Sequence, residues 1–301
     1  MLKEKIVTTV LNKLKKRDSW FLANYTINPY EGCSCNCQYC YIRGSRYGEN
    51  LAEGLSIKSN ALPLLDKQLK NRAAKNEYGF VVVGSATDAY LHHEKQYAQT
   101  RAMLELLLKH RFPVFITTKC HLILRDIDLL KAINEQAILP PDLQPVLKHG
   151  VILGVSVSTL DAAISERLEP GALLPAERLA VLHQLKQAGF LAGLNAIPVL
   201  PYISDTDEAL EQLIVAAKKQ AADFFLCGSL TLFGNNAADS KTLYYKFLQQ
   251  HYPQLVKQYH HLYGTAYYPP MWYQQQLKQR VNKWCGQYQL SSSIIKHNTS
   301  E

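Results

Sequence analysis

The chain has no apolar run that approaches the roughly 18 residues a membrane-crossing helix requires, so a spanning segment is not expected. Its first ten residues are too charged to form the apolar core of a secretory leader, which makes a cytoplasmic location the expectation. A reducing compartment suits its free thiols. A second C-x2-C pair is missing, and with it the two separated knuckles of the usual four-cysteine zinc site. The seven cysteines are an odd number, and a C-x-C-x-C-x2-C cluster is too tight for comfortable disulfide geometry. Acidic residues are outnumbered, 25 against 33 basic, for a net charge of +8. That excess suits a polyanionic partner such as nucleic acid, and equally an ordinary basic protein.

What is present is concentrated between Asn28 and Tyr41, which read Asn-Pro-Tyr-Glu-Gly-Cys-Ser-Cys-Asn-Cys-Gln-Tyr-Cys-Tyr. Four of the seven cysteines fall here: Cys33, Cys35, Cys37 and Cys40. Cys33, Cys37 and Cys40 have the spacing C-x3-C-x2-C, which lets one compact loop set three thiolates around an iron–sulfur cubane. Three protein thiolates leave one iron of a [4Fe-4S] cluster open to a small chelating molecule. Zinc bound by the same thiolates is the competing reading, and would make the chain a zinc-bearing basic binding module. Cys35 is surplus to the spacing and reads as a bystander.

Around this loop, strand and helix patterns alternate. Residues 1–23 read as a basic helical arm, because Ile6, Val10 and Leu14 recur every four positions. Strands are expected over 25–28, 80–83, 114–117, 151–157, 191–197 and 223–227. The apolar run Phe80-Val81-Val82-Val83 suits a parallel sheet covered on both faces. Helices are expected over 62–75 and 94–110, after Arg125-Asp126, from Pro175 to a stop at Gly189, and after a cap at Asp205 or Thr206. Residues 47–55 and 139–150 read as loops, and the tail from about His297 as disordered. Six such βα repeats argue for an α/β fold with a parallel barrel or open sheet over 24–230. Residues 231–301 supply a helical extension rather than two more βα units.

The cysteine spacing, with aromatic Tyr39 before the last cysteine, resembles the radical S-adenosylmethionine (SAM) superfamily. Several further pieces, in order, resemble its spore photoproduct lyase, or DNA repair photolyase-like, branch. They are Asn28-Pro-Tyr-x-Gly-Cys33, Gly84-Ser-Ala-Thr-Asp-Ala-Tyr90 with Glu94, Thr118-Lys119 with Arg125-Asp126, Ser156-Val-Ser158, Leu168-Glu169-Pro170 with Arg178, and Ala196-Ile-Pro198. Each follows an expected strand, where active sites of parallel barrels lie. The resemblance implies a partial (β/α)6 TIM-type barrel, a [4Fe-4S] cluster and SAM as cofactors, and reductive cleavage of SAM to a 5′-deoxyadenosyl radical that takes hydrogen from a substrate. A reductant such as flavodoxin or ferredoxin is implied as a partner. Nucleic acid is the first substrate class; a protein or small metabolite is the alternative.

Carried over residue by residue, the resemblance assigns the cluster to Cys33, Cys37 and Cys40, and places Tyr39 beside it. Gly84 and Ser85 would face the methionyl amino group, Lys119 the carboxylate, and Ser156 and Asn195 the ribose or adenine. Solvation of Lys119 and ordinary strand-end capping by the other two are the plain alternatives. Arg167 and Arg178 would bind an anion or pair with Glu169 and Glu177. Asp88, Tyr90 and Glu94 would touch substrate or staple the loop. The histidine pairs 92–93 and 260–261 read as exposed. One departure stands out: the hydrogen-donor cysteine of spore photoproduct lyases is absent after the second strand, where Ser85 and Ala86 stand. Cys120, Cys227 and Tyr41 are the candidate substitutes, with burial as small apolar side chains the alternative for the two thiols.

Overall fold

In the computed structural model, which describes residues 2–45, 48 and 54–295, the basic arm is extended rather than helical. It carries β1 (Lys3–Lys5) and β2 (Asn12–Lys13). Then come β3 (Ala23–Ile27), β4 (Tyr30–Glu31), β5 (Ser56–Lys58) and α1 (Ala61–Ala73). The arm's backbone groups are taken by side chains at and on α1, which removes the reason to coil. Asn60 bonds both the N–H and the C=O of Val7, and Gln68 accepts from Val10 and Leu11 N–H. The four-residue periodicity of Ile6, Val10 and Leu14 is a weaker guide than these tertiary partners.

The remaining elements follow the expected alternation: β6 (Phe80–Val83), α2 (Glu94–Tyr97), α3 (Gln99–Lys109), β7 (Val114–Thr118), α4 (Ile127–Gln136), β8 (Val151–Ser156), α5 (Ala162–Leu168), α6 (Pro175–Gln187), β9 (Leu191–Val199), α7 (Asp207–Lys219) and β10 (Phe225–Ser229). The extension adds α8 (Ser240–His251), α9 (Val256–Tyr263) and α10 (Met271–Gln287). Thr206 caps α7 by accepting from Ala209 N–H, and Gly189 leaves α6 with φ +89°. The helix expected over 94–110 breaks at Ala98, whose φ is +49°. Glu94 causes the break: its buried carboxylate accepts from Thr100 and Arg101 N–H and so starts α3 afresh. The unanticipated α5 begins where Asp161 accepts from Ile164 N–H. The last strand lies two residues later than expected, because Asp223 is occupied with Ala192 N–H and Lys186. Most of the loop read over 47–55 and the tail from His297 lie outside the described residues.

Strands β3, β6, β7, β8, β9 and β10 are neighbours in that order and run parallel; β2 adds an antiparallel edge. This is the six-stranded α/β arrangement expected. A separate sheet of order β1-β5-β4 braces the cysteine loop. Side chains alternate strictly across the main sheet. Val81, Val83, Val114, Ile116, Leu153 and Leu194 join the cluster under the helices, while Phe80, Val82, Phe115, Ile152 and Leu226 join a second cluster on the inner face. The sheet ends at β2 and β10 without closing. The arm bridges part of that gap. Phe21 packs against Phe115 with the rings tilted and their centroids 4.8 Å apart, and Trp20 lies 3.5 Å from where a Cβ on Gly228 would stand.

Candidate active site

A cavity of about 460 Å³ opens on the inner face at the C-terminal ends of the strands, a size typical of small-molecule sites. Cys33, Cys35, Cys37, Tyr39, Cys40 and Tyr41 line it from the cysteine loop. Gly84, Ser85 and Asp88 line it after β6, Thr117 and Lys119 at the end of β7, Ser156 at the end of β8 and Asn195 from β9. Residues singled out from the sequence on the cysteine loop and on four different strand ends therefore share one cavity. Ile197, Pro198, Ser229 and Thr231 close the far side, and Leu14, Asp18 and Phe21 of the arm close the near side.

The cysteine loop is held by the segment that follows α5. Leu168 C=O accepts from Gln38 N–H at 2.8 Å, and Cys35 C=O from Gly171 N–H at 3.1 Å. Gly171 is required here, since a Cβ would lie 1.9 Å from the Ser34 carbonyl oxygen. Arg43 donates Nε–H to the Cys37 carbonyl. Tyr39 turns inward: its hydroxyl donates to the buried Glu169 carboxylate and lies 2.8 Å from Ser158 Oγ. Glu169 also pairs with Arg178 at 2.5 Å and faces Lys119 Nζ at 3.9 Å. Burial opposes ionisation of Glu169, but Lys119 and Arg178 overcome it and hold the carboxyl below its ordinary value. Burial pulls Lys119 down, and the neighbouring Cys37 and Glu169 charges push it up further, so its ammonium ion is favoured. Burial raises the Cys37 and Cys40 thiols; Cys33 is raised chiefly by its contact with Cys35, then by burial.

Opposite the cysteines stands a polar shelf made by side chains of equal parity on three adjacent strands. Thr117 Oγ1 accepts from Asn195 Nδ2–H at 3.0 Å and lies 3.2 Å from Ser156 Oγ. Asn195 is buried, and its Oδ1 has no hydrogen-bond partner among the described residues. The shelf has room because Gly154, beside Asn195, carries no side chain: a Cβ there would stand 2.3 Å from Asn195 Nδ2. Thr117 is absent from the residues singled out in the sequence, although its even spacing from the inward Phe115 marks it as inward too. At Gly84, φ is +85°, and a Cβ would press to 2.9 Å on Ala89 N and Thr87 O, so the turn after β6 requires glycine.

Two expected thiols do not reach the cavity. Cys227 follows the inward Leu226 and so points to the helix layer, where burial raises its thiol pKa. Cys120 lies past the end of β7 and packs against the helix-side core. Tyr41 is at the mouth, 44% exposed, and its hydroxyl donates to Ser85 C=O at 2.6 Å. Cys35, read as a bystander, is buried and lines the cavity. Of the alternatives left open for Arg178, the structure shows the buried pair with Glu169; Arg167 is exposed. Glu94 and Asp88 staple loops: Glu94 binds Arg125 and the start of α3, and Asp88 accepts from Thr118, Lys119 N–H and Tyr90 N–H. His92, His260 and His261 are exposed and His93 half-buried.

The residues present suit an iron–sulfur cluster and SAM together. Three thiol side chains on one loop line the cavity wall, the soft donors that iron–sulfur clusters take. Across from them, an unpartnered buried carbonyl oxygen on Asn195 is an acceptor awaiting a donor such as an amino or hydroxyl group.

Comparison with known proteins agrees with this chemistry. The family described as Radical SAM superfamily matches residues 27–214. An uncharacterized protein of Mycobacterium tuberculosis is 28% identical over 274 residues, which is 89% of this chain and 75% of the relative. One of Methanocaldococcus jannaschii is 27% identical over 236 residues, 77% of this chain and 78% of the relative. Among solved structures, a spore photoproduct lyase mutant superposes with a TM-score of 0.63 at 16% identity, covering 95% of this chain and 79% of that one. Spore photoproduct lyase complexed with dinucleoside spore photoproduct superposes at 0.62 and 15% identity, with 95% and 79% coverage. At these identities the superpositions establish a shared fold. Among the described residues, no helix is long and apolar enough to cross a membrane.

Proposed function

This chain belongs to the radical SAM superfamily, and from that premise we propose that it cleaves SAM reductively and abstracts hydrogen from a substrate held over the same cavity. Its cofactors are a [4Fe-4S] cluster and SAM, and Cys33, Cys37 and Cys40 are the residues to hold the cluster. The observation that carries the reading is the meeting of these three thiols, Lys119 and the polar shelf around one cavity. Held by Cys33, Cys37 and Cys40, the cluster would pass one electron from an external reductant to the SAM sulfonium, whose carbon–sulfur bond would break to methionine and a hydrogen-abstracting 5′-deoxyadenosyl radical.

The chain's own residues bind and orient. Gly84 and Ser85 present backbone groups and a hydroxyl to the methionyl amino group. Lys119 offers its ammonium ion to the carboxylate, while Glu169, 3.9 Å away, keeps it charged and in place. Asn195 Oδ1 accepts from the adenine amino group or a ribose hydroxyl, and Thr117, itself in contact with Ser156, fixes its rotamer. Losing one such bond should weaken SAM binding by roughly 1.5–3 kcal/mol for the charged Lys119 and about 1 kcal/mol for Asn195. Calorimetric titration of SAM into Lys119→Ala and Asn195→Ala checks this. Wild-type affinity in both would remove the assignment. The reaction itself is tested by anaerobic reduction with SAM: 5′-deoxyadenosine should accumulate, and its absence would overturn the proposal.

For the substrate, the basic excess supports nucleic acid. Among the arm cations, Lys5, Lys13 and Arg17 pair with Glu31, Glu77 and Asp142, and Lys3, Lys15 and Lys16 are exposed, as is Lys13. Lys15 and Lys16 stand between Leu14 and Asp18, both on the cavity wall, so a phosphate backbone bound there would cross the mouth. Reversing both, Lys15→Glu with Lys16→Glu, should lower single-stranded DNA retention and reduce the salt slope by about 1.4, or roughly 0.7 for each phosphate left without its lysine. An unchanged slope would mean that the arm does not hold the strand. Charge reversal is preferable to truncation, since the arm's backbone is bonded into α1.

A further inference from the structure

A second group of metal-binding side chains lies at the cavity, two in its wall and one just outside it, apart from the three cysteines assigned to the cluster. Cys35 of the cysteine loop, Asp88 after β6 and Cys120 after β7 each bring one donor atom within 4.8 Å of the others. Cys35 and Asp88 are 2% and 8% exposed and line the cavity; Cys120 sits behind them. Cys35 Sγ is 3.8 Å from Asp88 Oδ2. In a tetrahedral site with metal–sulfur bonds of about 2.3 Å and metal–oxygen bonds of about 2.1 Å, neighbouring donors stand roughly 3.6 Å apart. The pair is therefore already near the edge length of such a site.

The carboxylate is also preset. Asp88 Oδ1 accepts from Thr118 Oγ1–H at 2.7 Å and Tyr90 N–H at 2.8 Å, and Oδ2 accepts from Lys119 N–H at 2.8 Å. The Thr118 oxygen in turn accepts from Cys120 N–H at 3.0 Å, which ties the second thiol to the same carboxylate. Outer bonds of this kind orient ligands before a metal arrives. On the side of Cys35, Oδ2 accepts from the thiol S–H, the proton that a metal would replace. These groups meet because β6 and β7 are adjacent and parallel, so the loops after them start side by side.

We propose that Cys35, Asp88 and Cys120 form a second, mononuclear site for a divalent transition cation, zinc first, with its fourth position open to the cavity. Two thiolates and a carboxylate are a zinc donor set, and three protein ligands with one open position are the pattern of a catalytic rather than a structural zinc. The open position takes water or a heteroatom of the substrate. Binding releases the two thiol protons to solvent, and no electron is transferred.

Cys33 also contacts Cys35, so iron and zinc must be counted separately. The test uses the full chain with its cluster assembled anaerobically, equilibrated with zinc, and assayed for both metals; cobalt replaces zinc for a thiolate charge-transfer spectrum. Wild type should hold one zinc per chain. Cys35→Ser and Cys120→Ser should each weaken zinc binding by about 100-fold or more with iron unchanged, and Cys40→Ala should lose iron and keep zinc. Cys120 is only partly buried, and a matched thermal melt of its variant separates ligand loss from misfolding. Absence of zinc from wild type, full retention by Cys120→Ser, or loss of iron by Cys35→Ser would each overturn the site. If Cys40→Ala keeps its iron, the cluster assignment fails and the zinc assignment stands.

Discussion

Replacing Cys33, Cys37 or Cys40 with Ala should abolish both iron retention and SAM cleavage, whereas Cys35→Ala should keep both. The three thiols have the C-x3-C-x2-C spacing and line one wall of the cavity. With one of them gone, the loop offers two thiolates to a cubane that needs three, and an unprotected iron is readily lost. Cys35 differs from the three in its partners and is the more deeply buried. Its sulfur faces Asp88 and Cys120, which belong to two other loops. Iron analysis and 5′-deoxyadenosine assay of the four variants, each reconstituted anaerobically, check the assignment. Iron loss confined to Cys35→Ala, or retained iron in Cys37→Ala, would overturn it.

Arg178→Met should cost about 3–5 kcal/mol of stability, the penalty of leaving a buried carboxylate without its cation. Arg178 is 1% exposed and Glu169 is 2% exposed. The guanidinium donates to Glu169 Oε2, to Ser165 Oγ and to the carbonyls of Ser156 and Leu173. Glu169 in turn holds Tyr39, two positions after Cys37, so the same variant should loosen the cysteine loop and lower iron retention. The double variant Arg178→Met with Glu169→Leu should recover only part of the loss: the buried carboxylate no longer stands without its guanidinium, but Lys119 loses its partner at 3.9 Å. Urea denaturation measures all three chains; a loss below about 1 kcal/mol in Arg178→Met would refute the expectation. The acid limb of wild-type stability follows from the same pair. Glu169 is held below its ordinary value of 4.5, so its contribution is present above that pH and is lost as pH falls toward the folded value.

The site is legible where chemistry depends on residue type and short spacing. Cys33, Cys37 and Cys40 need only a loop, while Gly84 and Lys119 follow, and Ser156 and Asn195 lie on, strands whose apolar runs are unmistakable. It is illegible where the outcome depends on which way a side chain points. Cys227 stands on a strand, one position from an inward residue, and a period of two sends it to the helices. Thr117 and Thr118 look alike in the sequence, although only Thr117 meets Ser156 and Asn195.

The sequence by itself determined the α/β alternation, the six parallel strands and the cysteine loop, because apolar runs, capping residues and cysteine spacing act over a few residues. The tertiary structure alone decided the form of the arm, which is extended because Asn60 and Gln68 take its backbone bonds from fifty or more positions away. It also decided the fate of Arg178, which is buried against Glu169 rather than open to an anion. The same holds for Cys35, Asp88 and Cys120, distant in sequence and joined only where neighbouring parallel strands end side by side. Long-range contacts of this kind leave no local pattern, since partners fixed by sheet register need share no spacing in the chain.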